Sequence, residues 1–196
     1  MVVVGLTGSI GMGKSTVARI LRDFGFPVHS ADAVVHEALK KGGSAVLPVA
    51  RLFPEALKRE GIDRKILGQV VFGNLPKLRQ LERILHPMVW KAEREFLKKA
   101  RKAKRCAAVL EIPLLFETGA EKHCDITLCV SAPRAVQKAR VLARPGMTEE
   151  KFHAILARQM SCAEKRRKAD YMVPTGISLE ATEKYLRKLF GKLGLL

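Results

Sequence analysis

Residues 8 to 15 narrow what this chain can fold into more than any other segment. They read Gly-Ser-Ile-Gly-Met-Gly-Lys-Ser and match the pattern G-x-x-x-x-G-K-S in full. The glycines allow successive backbone N–H groups to point into one concavity, and a helix beginning at the lysine adds free N–H groups and a positive dipole end. The pattern predicts a phosphate-binding loop in which Lys14 reaches the β- and γ-phosphates and the Ser15 hydroxyl binds Mg²⁺.

The segments on both sides of this loop fit the same interpretation. Val2–Leu6 is a continuous apolar run, which is typical of a strand buried on both faces. Residues 14–24 carry apolar side chains at the spacing of one helix face. A nucleoside triphosphate is therefore the expected ligand, and the backbone N–H of Thr16 is expected at its α-phosphate. The predicted ATP-binding residues are Gly8, Gly11, Met12, Gly13, Lys14, Ser15 and Thr16.

Short strand-like runs alternate with helical ones along the chain, which predicts an α/β fold with a parallel sheet flanked by helices. Residues 36–105 are nearly without strand signals, and this stretch predicts a helical insertion in the core. Asp63 and Asn74 are placed to begin helices there, and Pro87 should kink or interrupt the second of them. The other predicted strands are 27–29, 107–112, 125–130 and 171–173.

Length and composition exclude several classes of protein. The 196 residues suffice for one well-buried domain with small insertions, and no apolar run approaches the roughly 18 residues that a membrane span requires. The first residues lack the charged start and cleavage site of a signal peptide. The four cysteines form no C-x-x-C pair and no disulfide framework. We therefore expect a reduced cytoplasmic protein that does not bind membranes.

The formal net charge of +17 predicts partners that carry several negative charges. Basic residues cluster at 98–105 and 163–168, and solvated helix faces are the simplest interpretation of both runs. Only 6% of the residues are aromatic, so a stacking surface for single-stranded nucleic acid is poorly supported. Small polyphosphate substrates fit better, and nucleic acid is not expected as a partner.

The rest of the sequence favours a small-molecule kinase among proteins with such a loop. A GTPase would carry an N/T-K-x-D element that reads guanine, and the sequence has none. A motor or transporter ATPase would be larger. A small-molecule kinase needs the loop, a base near the acceptor hydroxyl, a segment that holds the acceptor, and arginines on a lid.

Four charged side chains occupy positions that suit this chemistry. Asp32 follows a predicted strand, where it could accept the proton of the acceptor hydroxyl or simply cap the next helix. Glu111 ends another strand, where an acid binds Mg²⁺ directly or through water, or pairs with a lysine. Arg140 and Arg144 flank a helix end and a Pro-Gly turn, an arrangement that suits a mobile lid, although either could be a solvated surface arginine.

The chain resembles the dephospho-coenzyme A kinase family over nearly its whole length. The phosphate loop alone is shared by a large superfamily. The Leu-His-Pro segment followed by the Pro-Leu-Leu-Phe-Glu segment distinguishes this family within it. The segments that carry the resemblance are Gly5-Leu6-Thr7-Gly8, Ser30-Ala31-Asp32, Leu85-His86-Pro87, Glu111 to Glu117, Gln137, Arg140, Arg144, Gln159 and Ala169-Asp170-Tyr171.

The resemblance implies transfer of the ATP γ-phosphate to the ribose 3′-hydroxyl of dephospho-CoA, with Mg²⁺ as cofactor. Asp32 corresponds to the family's proposed base, and Lys14, Arg140 and Arg144 would stabilise the transition state. Mg²⁺ would be held by Ser15 and Glu111. Substrate contacts are expected at Asp32, His86, Leu114 and Glu117, although a lone histidine such as His86 is more often structural.

Two segments depart from the family pattern. Ser30 stands where the family usually has a first aspartate, which removes one carboxylate from the neighbourhood of Asp32. Residues 173–176 read Val-Pro-Thr-Gly where many members have an asparagine-containing turn, and Thr175 is expected near the adenine instead.

The family architecture is a P-loop NTPase core of parallel sheet, a helical CoA-binding insertion and a small lid. On this chain the core is expected at 1–35, 106–139 and 155–196, the insertion at 36–105 and the lid at 140–154. The alternatives are another small-molecule kinase, acting on a nucleoside monophosphate or shikimate, and an NTP-binding protein associated with nucleic acid. The oligomeric state is not predicted.

Overall fold

A central strand of apolar residues organises the sheet in this computed structural model, which describes residues 1–196. Val3 to Thr7 are buried without alternation, as expected of a strand covered on both faces. This strand pairs in parallel with both of its neighbours, and the last pair in the sheet is parallel as well. The order is β2-β5-β1-β6-β7, with bounds β1 Val2–Thr7, β2 Val28–Ser30, β5 Ala107–Glu111, β6 Ile126–Ser131 and β7 Tyr171–Pro174.

The helices follow the predicted alternation with strands. Short 3-10 turns lie at Pro54–Ala56 and Ala120–His123. The α-helices are α1 Lys14–Asp23, α2 Ala31–Leu39, α3 Val46–Leu52, α4 Arg64–Val71, α5 Leu75–Lys102, α6 Arg134–Leu142, α7 Glu149–Leu156, α8 Cys162–Lys168 and α9 Leu179–Lys192.

The chain divides into two units, each with its own contacts. The first comprises Met1–His29 and Lys99–Leu196, and the second comprises Ser30–Lys98. In the first, β1 and β6 contribute buried Leu6 and Leu128, against which α9 packs Leu186 and Phe190. The predicted lid, 140–154, belongs to this first unit and spans the end of α6 and the start of α7. Its action as a lid stays a prediction.

The second unit is built around buried apolar residues from α3, α4 and α5, among them Val49, Leu67 and Leu81. As predicted, Asp63 caps α4, where its carboxylate accepts hydrogen bonds from the N–H groups of Lys65 and Ile66. Fulfilling its predicted role, Asn74 accepts one from the Lys77 N–H at the start of α5. Both side chains therefore satisfy N–H groups in the first turn of the helix that follows them.

Two features of the second unit differ from the sequence prediction. A hairpin of two-residue strands, β3 Leu57–Lys58 and β4 Gly61–Ile62, lies within the stretch that was expected to be helical. Strands of this length show no periodicity in the sequence. The predicted interruption at Pro87 is wrong, since the 28-residue helix α5 runs through this position without a break. Buried Leu85 and Leu97 lie on either side of the proline, so packing outweighs the lost hydrogen bond.

No helix combines the length and the apolar composition that crossing a membrane requires. Even α5, the longest, is interspersed with charged residues throughout.

Replacing Leu186 by alanine should destabilise the first unit by about 2–5 kcal/mol, because this fully buried side chain leaves a cavity against the sheet. Leu179 lies on the same helix and is 52% exposed, so Leu179→Ala should change the free energy of unfolding by less than ~0.5 kcal/mol. Urea unfolding followed by circular dichroism measures both. Equal losses in the two variants would contradict the packing of α9 described here.

Candidate active site

The loop between β1 and α1 takes the backbone shape that its glycines permit. Gly11 and Gly13 have φ of +77° and +86°, which lie in the left-handed region. A Cβ on Gly8 would come within 2.2 Å of the Val130 side chain, and one on Gly11 within 2.5 Å of Val141. Glycine is therefore required at Gly11 and Gly13 by conformation and at Gly8 by the neighbouring strand.

Several backbone N–H groups of this loop are open to a ligand. The Met12 N–H donates to the Ser9 carbonyl oxygen, whereas the N–H groups of Gly11 and Gly13 donate to no protein acceptor. Gly13 is also the N-cap of α1 and supplies no side chain to satisfy the first N–H groups of that helix. Free N–H groups at a helix N-terminus form a site for phosphate.

Lys14, Ser15 and Glu111 meet at the carboxyl ends of β1 and β5. The register pairs Leu6 with Glu111, which brings the carboxylate beside the loop. The Lys14 Nζ lies 2.8 Å from Glu111 Oε1, and the Ser15 hydroxyl donates to the same oxygen at 3.4 Å. Arg22 Nη2 lies 4.0 Å from the other carboxylate oxygen. Pairing with a lysine was the alternative role predicted for Glu111, and the lysine that it pairs with is Lys14 of the loop.

The donor atoms of Ser15 and Glu111 suit a hard divalent cation. They are a hydroxyl and a carboxylate oxygen, the ligands that Mg²⁺ prefers. No cluster of three or more His, Cys, Asp or Glu side chains exists that could hold a metal by itself. A magnesium ion that accompanies a nucleotide takes few protein ligands and completes its shell with phosphate oxygens and water. The residues present fit such an ion.

A family model described as dephospho-CoA kinase matches residues 2–180. The chain belongs to the dephospho-CoA kinase family. A dephospho-CoA kinase of Paramagnetospirillum magneticum is 52% identical over 85% of this chain and 78% of its own. A second dephospho-CoA kinase, of Agrobacterium fabrum, is 46% identical over 99% of both chains.

Solved structures agree with this membership. TT1252 of Thermus thermophilus superposes with a TM-score of 0.82 and 37% identity, covering 98% of this chain and 97% of its own. Dephospho-CoA kinase of Campylobacter jejuni gives a TM-score of 0.65 and 28% identity over 97% and 96%. A shikimate kinase of Acinetobacter baumannii, 14% identical with a TM-score of 0.51, shares the fold. The predicted P-loop kinase fold is therefore confirmed.

Two family positions lie in the second unit. Asp32 is exposed in the first turn of α2, where it makes no hydrogen bond or ion pair, and Ser30 is the N-cap residue. The alternative role of Asp32 as a helix cap is therefore wrong. His86 is half-buried on α5, with its ring 5.8 Å from that of Trp90. Whether either touches substrate stays a prediction.

Lys165 of α8 contacts the first and last residues of the Pro-Leu-Leu-Phe-Glu run. Glu117 Oε1 lies 2.9 Å from the ammonium of fully buried Lys165 and accepts from the Met160 N–H at 2.8 Å. Lys165 also donates to the Pro113 carbonyl oxygen. Glu117 was predicted to contact substrate, and these contacts show that it also has a structural role. Its other carboxylate oxygen, Oε2, has no hydrogen-bond partner. Leu114 is half-buried in the same run.

The two predicted lid arginines differ in their surroundings. Arg140 Nη2 donates to the Thr175 carbonyl oxygen at 2.7 Å, so its guanidinium is joined to the β7–α9 connection. Arg144 follows the end of α6, is exposed, and forms no ion pair. The structure thus separates a side chain that is already engaged from one that is free, and their action on phosphate stays a prediction.

Burial disfavours the charged forms of two titratable side chains on the sheet, Cys129 and His29. Burial raises the pKa of the Cys129 thiol on β6 to about 11, so this cysteine is not a thiolate nucleophile. Burial also lowers the pKa of His29 on β2, which disfavours its charged form. The charges at the carboxyl edge of the sheet therefore come from Lys14, Glu111 and Arg22.

Several residues that shape the loop were not predicted for that role. Gln137 Nε2 donates to the Ile10 carbonyl oxygen at 2.8 Å, and Gln159 Oε1 accepts from the Ile10 N–H at 3.1 Å. The Thr175 hydroxyl donates to the Met12 carbonyl oxygen at 2.7 Å. Gln137 and Gln159 contributed to the family resemblance, but no local pattern indicates that either contacts the loop.

Replacing Gly13 by alanine should weaken ATP binding more than tenfold. The left-handed φ costs a residue with a Cβ about 1–2 kcal/mol, and that Cβ would lie 3.1 Å from the Thr175 side chain. Gly191→Ala is the matched control, because it lies in α9 with open space around it and should be neutral or stabilising. Isothermal titration with Mg·ATP measures the affinities. A Gly13→Ala protein that binds like the wild type would contradict the loop geometry.

Proposed function

We propose that this chain transfers the γ-phosphate of ATP to the ribose 3′-hydroxyl of dephospho-CoA, giving CoA and ADP in the last step of coenzyme A synthesis. The observation that carries this is the complete phosphate loop, with Lys14 and Ser15 both beside Glu111, in a member of the dephospho-CoA kinase family. The small-molecule partners are thus ATP and dephospho-CoA, and the predicted compartment is the cytoplasm.

The loop would bind the triphosphate through groups that need little rearrangement. The N–H groups of Gly11, Gly13 and the first residues of α1 donate to phosphate oxygens in this proposal. The Thr16 N–H, which donates to the Gly13 carbonyl oxygen at 3.1 Å, is proposed to share its proton with the α-phosphate. Lys14 exchanges its bond to Glu111 for the β- and γ-phosphates. Charge that develops on the transferred group then meets a fixed ammonium, which lowers the barrier without reorganisation of solvent.

Mg²⁺, held through Ser15 and Glu111, would neutralise charge on the β- and γ-phosphate oxygens when bound. The protein contributes by keeping the Ser15 hydroxyl oxygen and the Glu111 carboxylate oxygen close together. Arg22, at 4.0 Å from Glu111, adds a positive charge on the outer side of the carboxylate. Removing the ion by chelation should therefore abolish transfer while leaving the fold intact.

Asp32 is the proposed general base. Its carboxylate is exposed and unpaired, so it is available to accept the proton of the 3′-hydroxyl and to hold that oxygen toward the γ-phosphate. Ser30, in place of a first aspartate, leaves one carboxylate rather than two at the start of α2. His86, Leu114 and Glu117 are proposed to contact dephospho-CoA, and Arg140 and Arg144 to stabilise the transferring group.

An acceptor panel tests the reaction. With ATP and Mg²⁺, the chain should form CoA from dephospho-CoA and should leave AMP and shikimate unphosphorylated, as measured by chromatography of the products. Replacing Mg²⁺ by EDTA should stop product formation, and adding Mg²⁺ back should restore it. Phosphorylation of another acceptor would retain the phosphate-loop chemistry and reject dephospho-CoA as the substrate.

Asp32→Asn should lower kcat about 10²–10⁴-fold, because the amide cannot accept the proton, and should leave the KM for ATP unchanged. Asp23→Asn is the matched control, since Asp23 is an exposed carboxylate at the end of α1. Its kcat should stay within about twofold of wild type. An Asp32→Asn enzyme that folds, binds ATP and turns over normally would reject the base assignment.

A further inference from the structure

Two side chains hold alternate peptides of the phosphate loop by their carbonyl oxygens. Gln137 Nε2, on α6, donates to the carbonyl of Ile10 at 2.8 Å. The Thr175 hydroxyl, after β7, donates to the carbonyl of Met12 at 2.7 Å. Both donors are almost fully buried, so each bond is shielded from competing water.

Each of these carbonyls shares its peptide plane with the N–H of a left-handed glycine. The Ile10 carbonyl precedes the Gly11 N–H, and the Met12 carbonyl precedes the Gly13 N–H. All peptides in the chain are trans, so the C=O and N–H of one plane point in opposite directions. A donor fixed on the carbonyl therefore directs the N–H to the opposite side. Neither of these two N–H groups donates to a protein acceptor.

The two donors are themselves anchored. Thr175 donates its N–H to the Ser131 carbonyl oxygen at 2.8 Å and accepts from Arg140 at its own carbonyl. Its hydroxyl lies farther from the Ser131 oxygen, at 3.2 Å, than from the Met12 oxygen. Gln137 lies in the first turn of α6, and its backbone carbonyl would be 3.0 Å from a Cβ on Gly11. The backbones of both donors are therefore held by contacts with β6 and α6, outside the loop.

We propose that Gln137 and Thr175 are positioning residues for nucleotide binding, which turn the Gly11 and Gly13 N–H groups toward the phosphates by holding the opposite ends of their peptides. This rests on the proposed function only in taking the loop as the ATP site. A glycine beside each peptide makes rotation easy, so without the donor the loop would populate other orientations. Apparent affinity falls in proportion to the population that is competent to bind.

Thr175→Val and Thr175→Ser form a matched pair, because valine keeps the shape and loses the hydroxyl whereas serine keeps the hydroxyl. We expect Thr175→Val to bind Mg·ATP about tenfold more weakly and Thr175→Ser within about twofold of wild type, in titrations without acceptor. The KM for ATP should rise in parallel, with the KM for dephospho-CoA unchanged. Gln137→Met should give the same loss through the other peptide.

Thr127→Val is the control for a general loss of stability. Thr127 is buried on β6 beside Gly5, and its hydroxyl bonds Asp170 rather than the loop. Its thermal midpoint should fall while its affinity for Mg·ATP stays near wild type. Folded Thr175→Val or Gln137→Met proteins with wild-type affinity would overturn the proposal, as would equal losses in Thr175→Ser or Thr127→Val. A wild type that binds Mg·ATP without forming CoA would reject only the proposed function.

Discussion

The left-handed turns at Gly11 and Gly13 are the constraint on which the site depends, because neighbours close on the loop from several directions. Val130 of β6 lies where a Cβ of Gly8 would be, Val141 of α6 where one of Gly11 would be, and Thr175 beside Gly13. Each neighbour comes from a different element of the first unit. The loop has no helix or strand of its own, so its shape is determined by the register of the sheet and by the position of α6.

Some residues that form or contact the phosphate loop also belong to the hydrophobic core. Met12 is a loop residue, yet its side chain is buried in the main core, and its sulfur accepts from the Ala132 N–H. Val130 faces the loop and packs in that core as well. A core that positions the loop in this way supplies preorganisation, so that little of the binding energy is spent on ordering the backbone.

Local sequence patterns predicted the structural features that depend only on residues close together in the chain. The apolar run of β1, the loop itself and the cap at Asp63 each rest on fewer than ten consecutive residues, and all three are found. The contacts that orient the loop could not be predicted in this way, since Thr175 bonds a residue 163 positions away and Gln137 one 127 positions away. The hairpin at Leu57–Ile62 was missed because two-residue strands have no periodicity to detect.

The ion pair between Lys14 and Glu111 explains how a buried carboxylate can stand beside a site for anions. Both side chains are largely buried, and a charge left unpaired there would cost several kcal/mol. Lys14 supplies the compensation for one carboxylate oxygen, and Arg22 lies 4.0 Å from the other, on the solvent side. If phosphate takes the ammonium, as proposed, a cation held by Ser15 and Glu111 would take over this compensation. Nucleotide and cation would then bind better together than separately, since each would remove the penalty that the other leaves.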